Sequence, residues 1–249
     1  MKGGAAGFFI GLVLAFVTGI VIIGGIKKIA TVTEKIVPFM AILYIVASLI
    51  IIFAHFSFID DAFRMIFNEA FSPRAGLGGL MGVLIVGFKR AAFSNEAGAG
   101  SASIAHSAVR TKYPASEGVV SLLEPFIDTV VICTMTALVI IIFNGDGTMF
   151  PYGGDGKGNV VLNATGTSTS GVDLTSLAYN DVIPHFSYVL TVAIVLFAFS
   201  TMISWSYYGL QAWKYLFGRG KIADLIYKLM FLVFVVIGAS VSLSAVTDF

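Results

Sequence analysis

The residues best placed to do chemistry lie between Gly87 and Ala102, in the run GFKRAAFSNEAGAGSA. Within it Lys89, Arg90, Ser94, Asn95 and Glu96 stand beside Gly98 and Gly100, inside a chain otherwise suited to lipid. Polar side chains in an apolar stretch are costly against hydrocarbon and mark a functional site by default. Glycines beside them mark a place where a helix can unwind. An unwound turn frees carbonyls on the first half-helix and amides on the second. Carbonyls suit Na⁺ or an ammonium group, whereas amides at the positive end of a helix dipole suit a carboxylate. One break can therefore serve both ends of a zwitterionic amino acid, with Ser94, Asn95 and Glu96 adding donors and acceptors. A second reading is close packing, because Gly98, Gly100, Ala102, Ala105 and Ala108 would let neighbouring helices approach. Lys89 and Arg90 either pair with Glu96 or another carboxylate, or snorkel to a surface.

Two other segments carry polar faces. Glu117, Ser121, Glu124 and Asp128 recur at i, i+4, i+7 and i+11, which places them on one side of a helix. Such a side must face protein or a water-filled cavity. Glu124 or Asp128 could serve a cation site or a gate, or form a structural pair with Lys89 or Arg90. Pro125 predicts a kink there. Further on, Ser200, Thr201, Ser204 and Tyr208 cluster near Trp205. Their hydroxyls suit Na⁺, and Trp205 could wall a small pocket. Equally, Ser and Thr bond back to the preceding turn, and aromatics form interfacial belts. His55, His106 and His185 pair with no Cys, Asp or Glu at metal-ligand spacing, and His106 reads as a pH sensor or a packing residue. Cys133, the single cysteine, reads as a small buried apolar residue.

The elements that must hold these residues are membrane spans. The 249 residues are 57% hydrophobic and 12% charged, against roughly 25% charged in soluble domains. Mean hydropathy is +0.94. A net charge of +1 offers no basic surface for nucleic acid. One cysteine excludes an intramolecular disulfide. Six segments, 7–26, 36–53, 78–111, 118–143, 184–217 and 222–246, can each supply the about 20 residues that a crossing needs. The third and fifth are too long for a simple span and must tilt, break or project beyond the membrane; the third is expected to break near 93–100. The connections alternate in charge: three hold eight Lys or Arg, while the loops 54–77 and 144–183 hold Arg64, Arg74 and Lys157. The excess of positive charge places the basic connections in the cytoplasm and both termini outside, which suggests a fragment. Loop 54–77 should carry a short amphipathic helix over 59–70, and loop 144–183 a short hairpin. The expected fold class is an all-α multi-spanning membrane protein, one transmembrane domain over 1–249.

Several strings carry a resemblance. FSNEAGAGSA over 93–102 after Lys89-Arg90, then Phe126-Ile127-Asp128-Thr129 with Cys133-Thr134, resemble motifs of the alanine/glycine:cation symporter family. So do Gly24-Gly25-Ile26 with Pro38-Phe39-Met40, and Trp205-Ser206-Tyr207-Tyr208-Gly209. The resemblance runs in order along nearly the whole chain. It implies Na⁺- or H⁺-coupled symport of alanine or glycine across the cell membrane, in the prokaryotic case the inner membrane. It also implies the inverted-repeat fold of five plus five helices, of which the six spans match core helices four to nine. The first broken helix of that fold would then be missing. Carried over by motif, substrate binding falls on Phe93, Ser94, Asn95, Glu96 and Gly98, with Trp205 as a wall. Na⁺ coordination falls on Ser200 or Thr201, and Lys89, Arg90, Glu124 and Asp128 form a gating or charge network. No cofactor beyond the coupling ion is implied. The rival readings are an intramembrane enzyme using Glu96, Asp128 and His106, and a non-transporting membrane subunit.

Overall fold

The computed structural model describes residues 5–71, 84, 87–88, 95–145, 147–152, 159–169 and 171–241. Among these residues the helices are α1 (Ala5–Ile23), α2 (Gly25–Ala54), α3 (Ile59–Ala70), α4 (Glu96–Ala99), α5 (Ala102–His106), α6 (Pro114–Asn144), α7 (Gly171–Val182), α8 (Phe186–Phe217) and α9 (Lys221–Ser240). A short hairpin pairs β1 (Val160–Val161) antiparallel with β2 (Ser168–Thr169), Val160 opposite Thr169. Among the described residues α1, α2, α6, α8 and α9 are long and apolar enough to cross a membrane. Their outward rows stay uncovered, as Phe8, Phe9, Val13, Phe16 and Ile23 do on α1. Helices suit this solvent because they satisfy their own backbone. The chain is an all-α multi-spanning membrane protein. Of the predicted third span, residues 78–83, 85–86 and 89–94 lie outside the described residues.

The chain divides into two compact units, residues 1–41 with 193–249, and residues 42–192. In the first, Gly7, Gly11, Ala15 and Gly19 recur every fourth residue and form one stripe of α1. Gly11, Ala15 and Gly19 are buried. A Cβ on Gly7 would stand 2.6 Å from the Ala239 carbonyl oxygen, and one on Gly11 3.0 Å from Val236 Cα. The stripe therefore lies directly on the backbone of α9. Lipid supplies no hydrophobic drive between helices, so close contact of small residues is what holds such a pair. The core of this unit gathers Val21, Ile22, Ile29, Phe199 and Ile203, with Met202, Phe231 and Leu232 packed against them.

The turn between α1 and α2 is tighter than the sequence suggests. Gly25 adopts φ +71°, a left-handed conformation that suits glycine, and α2 starts there. Lys27, Lys28 and Lys35, expected in a connection, are instead in the first turns of α2. Lys28 Nζ donates to the Ile20 carbonyl at 2.9 Å, which satisfies one of the open acceptors at the end of α1. Lys, Ala and Glu favour helix, so it extends past its apolar part.

In the second unit, α7 occupies residues expected to be loop. Its Thr, Asn and Asp residues hide a buried set, Leu174, Ala178 and Tyr179. α7 packs on the Thr134–Asn144 part of α6, as does α3, which spans the 59–70 segment predicted to be amphipathic. Tyr179 is fully buried, its ring stacked on Phe186 and tilted against Tyr44. The Ser48 hydroxyl donates to the Tyr44 carbonyl at 2.8 Å, so the Tyr179 phenol donates to Ser48, at 2.5 Å. By the same logic Thr136 donates to the Ile132 carbonyl and receives the Tyr44 phenol. These hydroxyls tie α2, α6 and α7 together. Burial holds the Tyr179 phenol well above its ordinary pKa.

Two outcomes are expected. Gly11→Leu forces a side chain into the α9 backbone and should lower the stability of the detergent-solubilised protein by about 1–3 kcal/mol. Gly238→Ala, where a Cβ meets nothing within 4 Å, should leave the melting temperature unchanged. For Tyr179 the raised folded-state pKa means a contribution intact below the unfolded value near about 10 and lost as pH rises beyond it. Thermal melts should show wild type losing more stability than Tyr179→Phe above that pH.

Candidate functional site

The polar centre is built on an interrupted backbone. Asn95 is extended, with φ −150° and ψ 175°, and its side-chain oxygen accepts from the amides of Ala97 and Gly98 at 3.1 and 3.3 Å. Asn is among the best residues for this capping position. α4 lasts four residues and stops at Gly100, whose φ is +80°. α5 then runs from Ala102 to His106. Between them Ser101 is buried, and its hydroxyl has no hydrogen-bond partner among the described residues. Buried polar atoms without partners are uncommon enough to call for a role.

This segment meets α6. Asn95 Nδ2 donates to Asp128 Oδ2 at 3.4 Å, and the Glu96 amide donates to Glu124 Oε1 at 3.4 Å. The Glu96 backbone is thereby held against the Glu124 carboxylate. His106 reaches the same face, Nδ1 lying 2.6 Å from Glu117 Oε1 and Nε2 3.8 Å from Glu124 Oε2. Glu117, Glu124 and Asp128 thus form a ladder about 16 Å long at the helical rise per residue. The amides that the sequence offered to a substrate carboxylate are here engaged by Asn95 and Glu124.

α6 is not simply kinked at Pro125. Its α-helical turns end at Ser121, resume over Leu123–Pro125, pass into a π-helix over Phe126–Cys133, and return at Thr134. Proline has no amide to donate and crowds the carbonyl four residues back, here that of Ser121. Wider turns absorb that misfit, and π segments are frequent at functional sites. Cys133, expected to be buried, is exposed. Ser121 bonds back to the Gly118 carbonyl. Among the described residues no three His, Cys, Asp or Glu side chains are arranged to hold a metal ion.

The other predicted residues fall elsewhere. Lys89, Arg90, Phe93 and Ser94 lie outside the described residues. Ser200 is buried and donates to the Phe197 carbonyl at 3.0 Å, while the adjacent Thr201 is exposed, so the two hydroxyls do not converge. Trp205 is 38% exposed and stands edge-on to Tyr208. All three belong to the first unit, whereas Asn95, Glu96, Gly98, Glu124 and Asp128 belong to the second. Sequence reasoning missed Ser101 and the Glu117 contact of His106. The signal for the latter was available, since Glu117 and Glu124 share a face that a short helix ending at His106 can reach.

Several apolar spans, together with an interrupted helix and a carboxylate-bearing one, define a multi-pass membrane protein with a polar centre. The sequence pattern of the sodium:alanine symporter family matches residues 2–249, and the chain belongs to that family. It is 40% identical over 237 residues to the sodium/alanine symporter AgcS of Methanococcus maripaludis, covering 95% of this chain and 49% of that protein. It is 32% identical over 199 residues to the sodium/proton-dependent alanine carrier protein of Bacillus sp. (strain PS3), covering 79% and 44%. The probable sodium/glutamine symporter GlnT of Bacillus subtilis is 31% identical over 241 residues, covering 96% and 46%. The chain thus spans about half the length of the curated relatives it matches.

The dual role of Asn95 separates by substitution. Asn95→Ala removes the cap and should cost about 1 kcal/mol of local helix stability. Asn95→Ser retains a capping oxygen and loses the donor to Asp128. Amide exchange over residues 97–106 should be about fivefold faster in the Ala variant than in the Ser variant. Equal rates in the two would show that the cap does not hold the segment.

Proposed function

We propose that this chain is part of a secondary transporter that carries a small neutral amino acid, alanine or glycine, together with Na⁺ or H⁺ across the cell membrane. The observation that carries the reading is the Asn95–Gly100 interruption set against Glu124 and Asp128. Clustered carboxyl groups attract the cationic partners, meaning the coupling ion and the substrate ammonium. The Glu96 amide set on the Glu124 carboxylate supplies a reason for coupling, because a cation bound at that carboxylate bears directly on the interrupted turn. Ser101, buried with its hydroxyl unpartnered among the described residues, adds a polar group at the break. Gly98 and Ala99 leave the surroundings small. Phe93 and Ser94 extend the site on the family pattern, and Trp205, Ser200 and Thr201 are further candidates.

Each relative named above is described as a symporter or carrier, which favours transport over catalysis. Their names divide between sodium alone and sodium or proton, and between alanine and glutamine. That spread fits a common mechanism in which ion and substrate each stabilise the state that binds the other. Alternating access would then rock one group of helices against another around the site. The relatives' bacterial and archaeal sources support a prokaryotic plasma membrane.

The test is uptake of radiolabelled alanine and glycine by proteoliposomes containing the full-length protein. Uptake should follow an inward Na⁺ or H⁺ gradient, and selective collapse of each gradient identifies the ion. Asn95→Ala should reduce the rate about tenfold or more, the worth of a hydrogen bond to a charged group. Rates unchanged in both Asn95→Ala and Glu96→Ala would remove these residues from the site. No gradient-driven uptake of any small amino acid would overturn the transporter assignment.

A further inference from the structure

The first unit holds a cavity of about 210 Å³ at the end where α1 and α8 finish and α2 and α9 begin. Its polar wall includes Gln211, Lys214, Asp224 and Lys228, and its apolar wall includes Ile22, Ile26, Ile29 and Leu210. Asp224 lies 2.9 Å from Lys214 Nζ and 2.8 Å from Lys228 Nζ. Two ammonium groups therefore share one carboxylate, and one positive charge is left over. The side chains are only 27% and 14% exposed for the lysines and 25% for the aspartate. A charge drawn from water without a full counter-charge is costly, so the arrangement is one anion short. The flanking segments are themselves basic: 27–35 and 214–228 hold seven Lys or Arg against two acidic residues, Glu34 and Asp224.

We propose that this cavity binds the phosphodiester headgroup of an anionic membrane phospholipid. Its two non-bridging oxygens would accept from the Lys214 and Lys228 ammonium groups, which between them have protons left after pairing with Asp224. The lipid's apolar part would lie along the isoleucine and leucine wall. That wall decides between the two sources of the same chemistry, because free phosphate would leave it bare whereas a phospholipid covers it. Basic recesses between membrane helices take anionic headgroups in this way. The cavity belongs to the first unit and the Asn95–Asp128 centre to the second, and the proposal does not depend on the transport reading.

The experiment is a titration of the full-length detergent-solubilised protein with dimyristoyl phosphatidylglycerol, dimyristoyl phosphatidylcholine and inorganic phosphate, read by native mass spectrometry and by thermal shift. Phosphatidylglycerol should bind more tightly than phosphatidylcholine. Lys228→Gln leaves the Lys214–Asp224 pair intact and cancels the excess charge, so it should weaken phosphatidylglycerol about fivefold, while Lys228→Arg should retain it. Lys214→Gln makes the same test from the other lysine should Lys228→Gln fail to fold. Equal binding of the two lipids, or full affinity in both Gln variants, would overturn the proposal. So would inorganic phosphate matching phosphatidylglycerol in affinity and competing with it, since that identifies a site for a free anion.

Discussion

Hydrocarbon offers no hydrogen bonds, so every polar group within a membrane span must find its partner in the protein. An interrupted helix breaks that rule twice, because it opens carbonyls at one end and amides at the other. Here the Asn95 side chain closes the amides of Ala97 and Gly98, and Glu124 closes that of Glu96. The carboxylates of α6 are in turn met by Asn95 and His106. Neither segment would be tolerable alone in lipid. Each supplies what the other lacks, and the polar centre is the result.

The irregularity of α6 arises from the same constraint. Pro125 removes one donor beneath the carboxylate ladder, and the π-helix from Phe126 to Cys133 re-forms the backbone bonds in a wider turn. That turn carries Asp128. Cys133, at the end of the π-helix, is exposed. Elsewhere the scaffold is ordinary. Small residues on α1 let α9 approach to backbone contact, and the hydroxyls of Ser48, Tyr44, Tyr179 and Thr136 link α2, α6 and α7.

Charge divides between the two units in a way that fits their surroundings. The second unit gathers Glu117, Glu124 and Asp128 along α6. The first gathers lysines at one end of its helices, around Asp224, where a membrane surface supplies anions. The chain belongs to the sodium:alanine symporter family, and the acidic centre is what the proposed function rests on. The basic recess owes nothing to that comparison and stands on the imbalance of two ammonium groups against one carboxylate.

Composition and periodicity alone determined that this is a membrane protein of several helices, because apolar runs of that length have one stable solution in water and lipid together. The motif around Asn95 and Glu96, and the shared face of Glu117, Glu124 and Asp128, were legible for a similar reason: they are polar where polarity is costly. Local sequence misplaced Lys27 and Lys28, whose helix-forming tendency outlasts the apolar run, and it missed α7, whose buried Leu174, Ala178 and Tyr179 sit among loop-forming residues. Only the tertiary structure decided which groups pair. His106 meets Glu117 because α5 folds back on α6, Ser101 is buried because two short helices meet there, and Ser200 and Thr201 diverge because adjacent helical residues point about 100° apart. Spacing along a chain specifies a face. The contacts of that face depend on residues far away in sequence, brought close by packing that no local pattern encodes.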